Sequence, residues 1–149
     1  MSKSPAVTAA IARFHERSAQ PRKLGSNDCC TGVADVLAAA WGVDPLARFA
    51  GRYSSLAGAR RILQREGCDT FLDGLRLAAA DCWAVEMESG EKPRDFDLGL
   101  IIFKNGLRPD GSLFATPSFY LDGLWQAMTD DGLVAVPELG HGGRKWRLR

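Results

Sequence analysis

Apolar residues recur at spacings of three and four along the first part of this chain and gather into short runs after about residue 82. That change of period constrains the fold most, because a 3.6-residue repeat and a two-residue repeat bury different faces. In the first part, Val7, Ala10, Ile11 and Phe14 share one face of a helix over residues 6–18. Ser4 can cap it, Pro5 suits its first turn, and Gln20-Pro21 ends it. A second helix opens at Asn27 or Asp28, carries Val33, Val36, Leu37, Ala40 and Trp41 on helical spacing, and stops at Gly42. Asp44-Pro45-Leu46 predicts a short helical turn. Ser55 can cap a third helix, Leu56 to Glu66, with Ala59, Ile62 and Leu63 inward; a fourth runs from Thr70 to Ala80.

Beyond residue 82 the pattern is that of strands. Trp83 to Met87 reads as a short strand or a helix end. Leu98 to Phe103 is a nearly continuous apolar run, expected to be a buried strand ended by Asn105-Gly106. Further candidates are Leu113 to Ala115, Phe119 to Leu121, Leu124 to Met128, Leu133 to Val136 and Trp146 to Leu148. Asp110-Gly111, Asp122-Gly123 and Asp131-Gly132 mark turns between several of them. Helices followed by a small antiparallel sheet make an α+β protein. The expectation is one domain over 1–149, with no repeat or linker dividing it.

Composition excludes several classes. With 19 Lys and Arg against 18 Asp and Glu, the net charge of +1 gives no electrostatic ground for nucleic acid or acidic lipid as a partner. No apolar run approaches the roughly 20 residues needed to cross a bilayer. Arg13, Glu16 and Arg17 stand where a signal peptide would be apolar, so synthesis in a cytoplasm without the usual export is expected. The four cysteines, at 29, 30, 68 and 82, match no zinc or redox spacing; free thiols, no metal and no cofactor are expected.

Cys29 is the one residue placed as a nucleophile would be. A cysteine in the first turn of a helix lies beside unpaired N–H groups and the positive end of the dipole, both of which stabilise a thiolate. Cys30 points about 100° away around the helix and is not expected to share the role. The alternative, two small core residues at a buried helix start, stays open. A base is also required, and the only histidines are His15, beside Glu16 and Arg17, and His141, in Gly140-His141-Gly142-Gly143. His141 is the candidate base; two surface histidines is the alternative. Arg144 to Arg149 encloses Trp146 and reads as an edge strand with solvated arginines rather than a nucleic-acid contact. Arg52 and Tyr53 lie in a tight link and suit a structural part, Arg52 bonding to exposed carbonyls or Asp28 and Tyr53 packing beneath.

Taken together, Asn27-Asp28-Cys29, Ala34-Asp35, Gly42-Val43-Asp44-Pro45, Gly51-Arg52-Tyr53-Ser54-Ser55 and Gly58-Ala59-Arg60-Arg61-Ile62-Leu63 resemble one family. It comprises small proteins from the tail gene clusters of phages, prophages and gene-transfer agents, and is similar to the NlpC-type branch of papain-like cysteine peptidases. The match runs from about residue 20 to 67, ahead of a sheet half over about 83–149, with weaker support from Phe96 to Phe103 and Trp146 to Leu148. The resemblance implies a papain-like NlpC-type fold, helices packed on a small antiparallel sheet, with Cys29 in the nucleophile position. In the peptidases a strand histidine is the base; here the corresponding region, Leu113 to Met128, has none, and its polar residues include Ser118, Tyr120 and Gln126. The resemblance therefore implies a tail-tip or baseplate component, catalytically degenerate, in contact with other phage tail proteins. It would be assembled in the host cytoplasm and carried in the virion tail. The alternative is an active peptidase with Cys29 as nucleophile, His141 as base and peptidoglycan as substrate.

Overall fold

The computed structural model describes residues 3–107 and 113–149. Among the described residues the chain forms four helices, α1 (Pro5–Ser18), α2 (Cys29–Trp41), α3 (Leu56–Arg65) and α4 (Phe71–Asp81). Six strands complete it: β1 (Ala84–Glu86), β2 (Leu98–Leu107), β3 (Leu113–Leu121), β4 (Leu124–Thr129), β5 (Gly132–Val136) and β6 (Arg144–Leu148). They make one antiparallel sheet in the order β1-β6-β2-β3-β4-β5, so the architecture is α+β. No helix among the described residues is long and apolar enough to cross a membrane.

Local chemistry accounts for the helix starts. Ser4, Asp28, Ser55 and Thr70 each sit in extended backbone and accept a hydrogen bond from the first turn of the helix they cap. Gly42, at φ 75°, closes α2 in the left-handed conformation that a side chain resists. Asp44-Pro45-Leu46, expected to open a short helical turn, leads into successive turns over residues 45–50, with Leu46 N donating to Asp44 Oδ1.

The strand alternation divides the core. On one face Leu98, Leu100, Phe119 and Met128 pack against Phe14 of α1 and Val33 and Leu37 of α2. Phe14 and Phe119 meet edge to face at 4.9 Å. Gly32 makes this approach close: a Cβ there would stand 2.6 Å from the Met128 methyl. On the other face Ile101, Trp125 and Ala127 form a smaller cluster, joined by Leu139 from the segment after β5.

Three strand expectations need correction. The ladder of β2 continues through Asn105-Gly106 to Leu107, with a register shift after Ile102, so that pair does not end the strand. Leu113 to Ala115 and Phe119 to Leu121 are one strand, running through Pro117 opposite Leu100. Tyr120 N donates to Asp97 O on the β2 side, so alternation turns the Pro117 nitrogen toward β4. Having no N–H, Pro117 costs the β2 ladder nothing, and the β3–β4 pairing stops at Phe119 and Gln126. Lastly, β6 is interior, held between β1 and β2. Its Trp146 is buried, and Arg147 is committed to buried Asp97 by two bonds of 3.0 and 2.8 Å. The expected Asp110-Gly111 turn lies outside the described residues.

Candidate functional site at the start of α2

The site is built around Asp28, 4% exposed and the N-cap of α2. Its Oδ1 accepts from Cys30 N at 2.9 Å and Thr31 N at 2.8 Å. Asp28 N in turn donates to Thr31 Oγ1, completing a capping box in which threonine replaces the usual glutamate. Oδ2 accepts from Gly25 N and from the Tyr53 hydroxyl, both at 2.7 Å. A buried carboxylate thus receives four donors, which is what keeps a charge tolerable out of water. Burial, before any other cause, raises the Tyr53 phenol, so it remains protonated and a donor.

Gly25 is required twice over. Its φ is 89°, and a Cβ would run into the Tyr53 carbonyl. Arg17 reaches from α1 to Asn27 Oδ1, Ser26 O and Thr31 Oγ1, fixing the loop between the helices. Asn27, an alternative cap on sequence, instead donates to Arg17 O and Pro21 O.

This frame presents two half-buried thiols. Cys29 and Cys30 sulfurs are 3.9 Å apart, so the expectation that Cys30 would point away is corrected. The Cys29 thiol is lowered from its ordinary value chiefly by the hydrogen bond from Cys30; burial and the Asp28 charge oppose, and the Thr116 hydroxyl and Cys30 N–H assist. Cys30 is pushed well up, first because it is the donor to Cys29 and then by burial. Of the two, Cys29 is the thiol that gives up its proton first.

The remaining residues singled out on sequence lie elsewhere. Arg52 bonds to Arg48 O and Glu66 Oε1, both at 2.8 Å; Tyr53, not Arg52, reaches Asp28. His15 is exposed on α1 and lies 3.3 Å from Gln126 Oε1. His141 is exposed in the segment whose Leu139 packs on the sheet face opposite α2, beside a groove of about 1200 Å³. Among the described residues, neither imidazole is a bonded partner of Cys29. Sequence reasoning missed Thr116, 1% exposed in β3, whose hydroxyl donates to Pro117 O at 3.5 Å and is a lesser cause of the lowered Cys29 thiol. Nothing in Ala115-Thr116-Pro117 signals that effect. Thr31 was missed as well, although the third place after an Asp N-cap is the signal that finds it.

Fold and site together define an α+β domain whose cysteine-headed helix is capped by a buried carboxylate and packed on an antiparallel sheet. The chain matches, over residues 2–106, the family described as a domain of unknown function (DUF6950), and it belongs to that family. No curated protein and no solved structure matches it.

Proposed function

We propose that the chain is a phage or prophage tail component, of the tail tip or baseplate, with an NlpC-like, papain-like fold that has lost peptidase activity. It is made in the host cytoplasm and acts in the virion through contacts with other tail proteins. The observation that carries the reading is the company Cys29 keeps. Its hydrogen-bonded partner is Cys30, not the imidazole that would take up the thiol's proton and return it to a leaving amine. Loss of that transfer removes on the order of 10²–10⁴ in rate.

A second observation supports a life of contacts. Trp41, Trp125 and Trp146 are at least partly buried, whereas Trp83 is 83% exposed. It also stands at φ 63°, just past the end of α4, where glycine is the comfortable residue. A bulky side chain kept there in water suits an anchor for a partner. Copurification with the proteins of neighbouring tail genes, and detection in purified virions, tests the reading. A chain that stays monomeric with each of them and is missing from virions removes it.

An active peptidase remains the second reading, favoured by the lowered Cys29 thiol alone. Digestion of peptidoglycan that disappears in Cys29→Ser would establish it; turnover unchanged in His141→Ala would exclude His141 as the base.

A further inference from the structure

Two consecutive cysteines whose sulfurs converge to 3.9 Å are an uncommon arrangement on a helix, where neighbouring side chains diverge by about 100°. A disulfide is not its use. Consecutive Cα atoms lie about 3.8 Å apart, short of the roughly 4.4–6.8 Å that an unstrained disulfide spans. Closing one would also draw Cys30 N–H away from the Asp28 cap. The spacing instead suits two thiolates on one metal ion. With metal–sulfur bonds of about 2.3 Å, sulfurs 3.9 Å apart subtend about 116° at a shared ion, between tetrahedral and trigonal.

Donor number selects the ion. Asp28, Cys29 and Cys30 place one ligand atom each within 4.8 Å of one another. Asp28 already accepts four hydrogen bonds, so at most one oxygen joins the two sulfurs. That falls short of the closed four-ligand set of structural zinc. It fits a soft cation content with two or three ligands, and thiolates select Cu(I) among such ions.

We infer that Cys29 and Cys30 form a preorganised bidentate dithiolate for a soft, low-coordinate d10 cation, with Cu(I) as the fitting ion. Binding forms two metal–sulfur bonds and releases the two thiol protons; no electrons are transferred. The inference does not rest on the tail-protein reading, and its test reads neither virions nor cell wall.

The reduced full-length chain is titrated anaerobically with Cu(I) against a chromogenic Cu(I) chelator, then alkylated and mapped by mass spectrometry. The expected result is one chelator-resistant Cu(I) per chain, with alkylation lost at Cys29 and Cys30 and unchanged at Cys68 and Cys82. Binding should survive Cys68→Ser with Cys82→Ser and vanish in Cys30→Ala. If Cys30→Ala does not fold, the protection pattern of the unaltered chain decides by itself. Copper not retained, copper retained while Cys29 and Cys30 stay reactive, or equal protection by Zn(II) would each overturn the assignment.

Discussion

Helices α2 and α4 begin with the same device and differ in what surrounds it. At α4, Thr70 caps and Asp73 returns the bond: Asp73 N donates to Thr70 Oγ1 at 3.1 Å, and Thr70 N donates to Asp73 Oδ2 at 3.2 Å. At α2 the residue types are exchanged, with Asp28 as cap and Thr31 in the third position. Thr70 is exposed and Asp73 half-buried, so water can replace what the box supplies at α4. Asp28 is buried, and its second oxygen gathers Gly25 and Tyr53 from outside the helix. One motif therefore does two jobs. At α4 it starts a helix; at α2 it also fixes the loop and the link that frame two thiols.

Removing each carboxylate or cap is the sharpest way to break that comparison. Asp28→Ala strands four donors, and we expect a loss of about 3–5 kcal/mol in urea unfolding. A loss no larger than that of Thr70→Ala would mean the two caps are equivalent. Gly25→Ala should cost about 2–3 kcal/mol, from the left-handed backbone and the encounter with the Tyr53 carbonyl, read in the same denaturation. Tyr53→Phe leaves the Asp28 oxygen one donor short, for about 1–2 kcal/mol. Thr70→Ala should cost about 1 kcal/mol, the ordinary value of a surface cap.

The smallest expected effect is on reactivity. Alkylation requires the thiolate, so its rate climbs as pH rises through the thiol's pKa. Because Cys29 is lowered, the climb should begin below that of an unperturbed thiol. Thr116→Val removes one donor and should move the Cys29 profile upward in pH, with folding unchanged by circular dichroism. A profile identical to the unaltered chain would show that the hydroxyl does not act on the sulfur.

Much of the helical half was legible because its signals are local. Ser4, Asp28 and Ser55 are short polar side chains just ahead of apolar residues on a three-and-four spacing, and a cap needs nothing further away than three residues. The sheet was less legible. Pro117 reads as a break until its nitrogen is known to face β4, and β6 reads as an edge until β1 is known to cover it. The same holds for the site. Asp28 and Cys29 announce themselves by position, whereas Tyr53 is 25 residues from its acceptor.

The sequence by itself narrowed the cap of α2 to Asn27 or Asp28 and placed a cysteine in its first turn, since those depend on hydrogen bonds spanning a few residues. Only the tertiary structure decided what that cysteine faces. Packing set His15 beside Gln126 and left Cys30, its sulfur 3.9 Å away, as the bonded partner of Cys29. Those outcomes depend on how distant segments pack, and no spacing along the chain encodes them.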